Sequence, residues 1–209
     1  MPRNARHTLQ APLLLAEEPS GRALTAAAPS PTILRDPRAS AVRVAAFDLS
    51  LTRTGYAVPQ LGTLAPPKGR DRGMERLAWI RDRVLELAAG AGAVVLEGYS
   101  FGSKGRALFS LAELGGVVRL ALHEAALPVV EVAPSALKKY ATGRGNAGKE
   151  EVLAVAIRRL GYAGHDNNEA DALWLRAMAV DYYAGSAFVP AKNREALAAV
   201  AWPALWVSE

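Results

Sequence analysis

Two short apolar runs in this chain each stop at a carboxylate. Val42-Arg43-Val44-Ala45-Ala46-Phe47 ends in Asp48, and Ala93-Val94-Val95-Leu96 ends in Glu97. Runs of this length, rich in Val and followed by Ser- or Gly-containing loops, read as strands of a sheet. A carboxylate at the end of a buried strand is costly unless something pairs with it. Paired strands lie only about 4.8 Å apart, so the two acids meet if their strands are neighbours. A third acid, Asp171, follows Asn167-Asn168-Glu169-Ala170 at the start of a helical pattern. Three carboxylates from distant parts of one sequence suggest one shared partner, and a divalent cation is the obvious candidate.

The rest of the pattern says what kind of sheet carries them. Residues 42–47, 55–58 and Leu61–Leu64 form a meander of three short strands. An amphipathic helix over 72–89 follows, with Leu77, Ile80, Val84 and Leu87 at helical spacing. Ala93–Glu97 is the next strand and 107–126 a long helix. Val129–Val132 is a fifth strand, and Pro134 opens another helix. Residues 149–160 and 168–183 are the last two helices. This order predicts an α/β fold, a mixed five-stranded sheet with helices on both faces, within a domain spanning 41–185.

Residues 1–40 are rich in Pro, Ala, Ser and Arg without either periodicity and read as a mobile extension. Residues 186–209, with Trp202, Pro203 and Trp206, are a tail with no assigned element, and packing back on the core is its simplest role. There is no Cys, which excludes disulfides and thiolate metal sites. No apolar run approaches the length of a membrane span. Residues 11–16 are too short for a signal-peptide core and run straight into Glu17 and Glu18. The net charge is +5 despite the acidic cluster, which favours a polyanionic partner.

On its helix Asp171 shares a face with Asn168 and Asn167, three and four residues earlier, whereas Glu169 points elsewhere. Three hard oxygen anions beside an amide oxygen suit one or two Mg²⁺ or Mn²⁺ ions. Each acid also has a local reading. Asp48 can cap the turn Asp48-Leu49-Ser50, Glu97 can be solvated beside Gly98, and Asp171 can favour the helix dipole. Their joint occurrence favours the shared site.

The residues also carry a family resemblance. Val44-Ala45-Ala46-Phe47-Asp48-Leu49-Ser50-Leu51-Thr52-Arg53-Thr54-Gly55-Tyr56-Ala57-Val58 resembles the opening hairpin of RuvC-type Holliday junction resolvases, in the RNase H-like superfamily. Val94-Val95-Leu96-Glu97 is similar to the family's second acidic strand, and Glu169-Ala170-Asp171-Ala172-Leu173 to its acidic C-terminal helix. Leu114-Gly115-Gly116-Val117-Val118 and Pro128-Val129-Val130-Glu131-Val132 match the intervening helix and strand. The resemblance covers residues 42–184, and phage-encoded members look most similar. A sugar-kinase or actin-like hairpin would need a second nucleotide-clasping domain, for which the chain has no room.

The resemblance implies metal-binding roles for Asp48, Glu97 and Asp171, with two Mg²⁺ ions, or Mn²⁺ as a substitute. The family's usual fourth ligand falls at Asn168, a neutral amide, with His165 and Asp166 upstream as substitutes. It also implies lysines on the next two helix starts, here Lys138 or Lys139 and Lys149. Lys149 at a helix start opposes the macrodipole unless an anion sits there, and a phosphate contact by a catalytic Lys149 is expected. Arg144 lies in the Gly-rich loop Thr142-Gly143-Arg144-Gly145-Asn146, which can approach phosphates. After Glu97, Gly98-Tyr99-Ser100-Phe101-Gly102-Ser103-Lys104-Gly105-Arg106 interleaves aromatic and basic residues. Tyr99 or Phe101 is expected to wedge into unstacked bases, with one of the two packed under the loop. Lys104 and Arg106 add DNA contacts. In the family the next helix helps form a two-fold dimer, so the resemblance implies a homodimer. The expected activity is metal-dependent endonucleolytic cleavage of DNA four-way junctions by a cytoplasmic, membrane-free enzyme of a bacterium or phage-infected cell. The alternatives are a related nuclease for other branched DNA or RNA, and a junction-binding protein weakened catalytically at Asn168.

Overall fold

The computed structural model describes residues 31–37, 41–99 and 106–205. Five strands form one sheet: β1 Val44–Asp48, β2 Thr54–Ala57, β3 Leu61–Leu64, β4 Ala93–Glu97 and β5 Val129–Val132. Their order across the sheet is β3-β2-β1-β4-β5. β1 pairs antiparallel with β2 and β2 with β3, as the short loops between them require. On its other edge β1 pairs parallel with β4, and β4 with β5, each through a helical crossover. The sheet is therefore mixed, as the element order predicts.

The helices are α1 Gly73–Ala88, α2 Arg106–Glu124, α3 Pro134–Thr142, α4 Lys149–Val155 and α5 Asn167–Ala184. Helix α4 runs on through a wider π-helical turn, Ala156–Leu160, so the helical span expected over 149–160 is present with its last turn unwound. Leu77, Ile80, Val84 and Ala88 are the buried residues of α1, a spacing that keeps one stripe on the sheet. Helix α5 is different. Every residue from Leu173 to Asp181 is buried, because α5 lies between the sheet and the α3–α4 layer.

Strand periodicity divides the core in two. Val44, Ala46, Ala93, Val95, Val130 and Val132 pack with α3, α4 and α5 on one face. Ala45, Phe47, Val94 and Leu96 pack with Leu77 and Ile80 of α1 and Leu114 and Val118 of α2 on the other. Side chains on a strand alternate between faces. Asp48 has the parity of Val44 and Ala46, and Glu97 that of Ala93 and Val95, so both acids face α5.

The core extends past both expected domain limits, 41 and 185. Ile33, on a single helical turn Thr32–Arg35, is fully buried, so residues 31–37 belong to the fold rather than to a mobile extension. Residues 1–30 and Trp206 lie outside the described residues. In the tail, Val189, Ala196, Leu197 and Val200 join the α5 core. The buried Asp181 carboxylate accepts hydrogen bonds from Tyr140 Oη at 2.9 Å and Arg194 Nε at 3.0 Å. Asn193 Nδ2 donates to Tyr140 O at 2.9 Å, and the Tyr182 ring stacks on Trp202 at 4.9 Å. These contacts attach the tail to α3 and α5. Among the described residues no helix is long and apolar enough to cross a membrane.

Candidate metal centre and nucleic-acid interface

Register brings the first two acids together. Phe47 of β1 is opposite Leu96 of β4, so Asp48 and Glu97 are the next pair along at the carboxyl ends of parallel strands. Helix α5 crosses that end and supplies Asp171. One carboxylate oxygen from each of Asp48, Glu97 and Asp171 lies within 4.8 Å of the other two. All three open into a cavity of about 710 Å³ that is also lined by Asn168, Lys138 and Lys149.

Three carboxylates this close cannot all ionise at ordinary cost. Burial, followed by the charges of Glu97 and Asp171, raises the Asp48 carboxyl well above its usual range. Asp171 is pushed up to about 7 by burial and Glu97, against the opposing pull of Lys149 and Lys138. Burial also raises Glu97, an effect offset by its hydrogen bond with Asp48 and by the same two lysines. The donor set suits a hard divalent cation. Its oxygens are within common reach of ligand distances of about 2.0–2.6 Å, and a cation there would relieve the repulsion.

Helix α5 is held in place at its start. Asp166 is its N-cap, accepting from Asn168 N at 2.8 Å and Glu169 N at 3.3 Å. The same carboxylate takes a two-armed contact from Arg53, at 3.0 Å from Nε and 2.6 Å from Nη2. Burial by itself would raise the Asp166 carboxyl, but the Arg53 and backbone hydrogen bonds hold it below its usual range. Asp166 is therefore committed as a cap, and neither it nor His165 is among the residues lining the cavity. Both drop out as substitutes for a fourth ligand. Asn168 Nδ2 donates to Arg53 O, which fixes the amide beside Asp171. Gly55 makes this approach possible, since a Cβ there would sit 2.0 Å from Asn168 O. Glu169 points away, accepting from Thr63 Oγ1 at 2.7 Å and Tyr162 Oη at 2.9 Å.

The expected DNA-contacting residues separate in space. Lys138 and Lys149 line the cavity and act electrostatically on its acids. Lys139 instead pairs with Glu195 of the tail at 3.6 Å, and Arg144 pairs with Glu151 at 2.6 Å, both away from the cavity lining. Tyr99 is held in place. Its hydroxyl donates to Ala112 O at 3.2 Å and accepts from Arg119 Nη1 at 2.7 Å, while the guanidinium lies 4.8 Å from the ring centroid. Tyr99 packs on α2, where its hydroxyl has two partners, and it also lines the cavity. Gly115 leaves the space for it, as a Cβ there would lie 1.8 Å from Tyr99 Oη. Phe101, Lys104 and the Arg106 side chain lie outside the described residues.

No local sequence pattern points to Arg53 or Arg119. Arg119 also reaches Glu131 and, with Asp48, Glu97 and Tyr99, lines a small void of about 60 Å³ under the site. Their partners Asp166 and Tyr99 stand 113 and 20 positions away, where no local pattern reports a contact.

A mixed sheet in this order, with acids on β1, β4 and the closing helix, is the RNase H-like fold. The family model described as crossover junction endodeoxyribonuclease RuvC matches residues 69–181, a span that begins after Asp48 and includes Glu97, Lys138, Lys149 and Asp171. RuvC of Anaeromyxobacter sp. strain Fw109-5 is 36% identical over 146 residues, covering 69% of this chain and 70% of the relative. RuvC of Synechococcus sp. strain WH7803 is 29% identical over 130 residues, 57% of this chain and 84% of the relative. The Thermus thermophilus RuvC structure superposes with a TM-score of 0.56 at 26% identity, covering 68% of this chain and 96% of that one. The same protein in complex with Holliday junction substrate shares the fold, with a TM-score of 0.56 at 24% identity over 74% of this chain and 96% of that one. The chain belongs to the RuvC family of crossover junction endodeoxyribonucleases. The relatives named here are bacterial.

Proposed function

We propose that the protein is a divalent-metal-dependent endonuclease that cleaves phosphodiester bonds at DNA four-way junctions, acting as a symmetric dimer in the cytoplasm. The observation that carries this reading is the convergence of Asp48, Glu97 and Asp171 within 4.8 Å, in a cavity bordered by Lys138 and Lys149. The three carboxylates would hold Mg²⁺ or Mn²⁺, two ions at full occupancy, with Asn168 Oδ1 as a neutral fourth donor. Bound metal would supply Lewis-acid charge to the phosphate and lower the pKa of an attacking water.

The chain's own residues bind and orient. Lys149, at the first position of α4, joins its charge to the positive end of the helix, so a phosphate there meets both. Lys138, from the neighbouring helix, anchors the backbone on the other side of the cavity. Such contacts supply affinity, and the geometry of the branch supplies selectivity. Two copies are needed to cut two opposing strands. Helix α2 offers the surface, with Phe109 72% and Leu120 58% exposed on either side of Gly116, whose missing Cβ would meet nothing within 4 Å.

The test is cleavage of an immobile four-way junction with Mg²⁺, wild type beside Asp48→Asn. The variant is expected to lose cleavage by more than about 10³-fold while keeping junction binding. Loss of binding and cleavage together would count against a ligand role. A flap and an RNA duplex run alongside separate this reading from a nuclease for other branched nucleic acids, and wild-type nicking excludes a purely binding protein.

A further inference from the structure

We propose that the loop joining β3 to α1 is a second phosphate-contact surface, gripping the backbone of the junction arm that leaves the acidic site on its β3 side. This rests on the junction-cleaving reading above and adds a contact region to it.

The segment Pro66-Pro67-Lys68-Gly69-Arg70-Asp71-Arg72-Gly73-Met74 leaves the sheet at the end that bears the acids. Asp48 is opposite Gly55, and Leu64, the last residue of β3, is opposite Thr54. The loop thus starts two strand spacings from the end of β1, about 10 Å. That is about three base pairs along a duplex seated on the acids, at 3.4 Å per base pair.

The base of the loop is fixed relative to the site. Thr63 Oγ1 donates to Glu169 on α5, two residues before Asp171. Residues 67–75 are all exposed. The turn is closed on itself, Arg70 N donating to Pro67 O at 2.9 Å and Gly69 N to Asp71 Oδ1 at 3.2 Å. Asp71 is held to the loop backbone and forms no ion pair with Lys68, Arg70 or Arg72, so the segment 68–72 keeps a net charge of about +2.

Like Lys138 and Lys149 of the cavity, and unlike many arginines of the fold, these cations form no ion pair among the described residues. Arg53, Arg81, Arg83, Arg119, Arg144 and Arg194 each have a carboxylate partner. Lys68, Arg70 and Arg72 have none among the described residues. Three cations without an ion-pair partner among the described residues, on a Pro-led, hydrogen-bonded turn beside the acidic site, suit a polyanion, and the duplex arm is the polyanion that the site would already hold. The lysines of the cavity lie on α3 and α4, across α5 from this loop, so the two basic regions flank the acids.

The experiment measures binding of the full chain to a fluorescent four-way junction in EDTA, where cleavage is blocked, from about 50 to 300 mM KCl. The triple variant K68A/R70A/R72A is expected to bind at least about tenfold more weakly near 100 mM salt. Its slope of log K against log salt should fall by about 2–3, close to 0.9 per lost phosphate contact. The charge-keeping variant K68R/R70K/R72K should restore both quantities. Single-turnover cleavage by saturating K68A/R70A/R72A should stay within about twofold of wild type, because the loop touches no reacting atom.

Unchanged affinity and slope in the alanine variant would overturn the proposal. So would weaker binding at an unchanged slope, or a charge-keeping variant as weak as the alanine one. Because the three side chains are exposed, folding of the variants is checked directly by circular dichroism, and R70A alone, with an expected slope loss of about 0.9, repeats the test at minimal perturbation. A wild-type protein that binds no branched DNA would instead sink the junction-cleaving reading itself.

Discussion

Replacing Asp171 by Asn should make the metal-free protein more stable at alkaline pH. The carboxyl of Asp171 is held at about 7 in the folded chain, against an ordinary 3.8, by burial and the adjacent Glu97. A gap of about three pH units corresponds to about 4 kcal/mol between the two protonation states. Because the folded-state value is the raised one, the favourable contribution is fully present below about pH 4. It is lost as pH rises through about 7, so the wild-type apo protein weakens from acid to alkaline pH. An amide of the same shape carries no such charge. The full 4 kcal/mol is an upper bound, since the site opens to solvent and Asp48 and Glu97 share the repulsion. In EDTA at pH 8, Asp171→Asn should gain about 2–4 kcal/mol, or about 5–15 °C in melting temperature for a domain of this size. At pH 4.5 the gain should shrink towards zero. Saturating Mg²⁺ should close most of that gap, stabilising wild type by about 3 kcal/mol at a hundred times Kd and the variant by much less. Thermal melts at the two pH values, with and without Mg²⁺, read all of this. A variant no more stable than wild type in EDTA at pH 8 would refute the picture of three crowded, mutually repelling carboxylates.

Four further substitutions probe the packing around the site. Gly115→Ala should cost about 1–3 kcal/mol in urea denaturation, since its Cβ would collide with Tyr99 Oη. Gly116→Ala, one residue on and facing open space, should be neutral or stabilising by up to about 1 kcal/mol. Asp166→Ala should cost about 1–2 kcal/mol by uncapping α5, with little from its exposed partner Arg53. Asp181→Ala leaves Tyr140 and Arg194 without their shared acceptor and should cost about 3 kcal/mol. For Gly115→Ala, Asp166→Ala and Asp181→Ala an unchanged denaturation midpoint would refute the contact assigned, and for Gly116→Ala a clear loss of stability would refute the open space.

The sequence by itself determined the order of the five strands and of the helices between and after them up to Ala184, and the mixed sheet, and it singled out the three acids that the fold brings together. It could do so because strand and helix periodicities are local, and because an acid ending an apolar strand is conspicuous. Period-two alternation even decided the face on which Asp48 and Glu97 emerge, once each strand was placed. The tertiary structure decided what each polar side chain touches. Lys138 and Lys139 are adjacent in sequence, yet one enters the cavity and the other pairs with Glu195, because consecutive helical positions are about 100° apart. The sequence leaves open whether Tyr99 is packed or presented, and Gly115, sixteen residues later, opens the space that holds its hydroxyl. Ile33 lay within residues that looked mobile, since a single apolar residue has no periodicity to betray its burial. Asn168 kept its place beside Asp171, but its amide hydrogen bond to Arg53 depends on how closely β2 passes α5, and that distance is set by packing across the whole sheet.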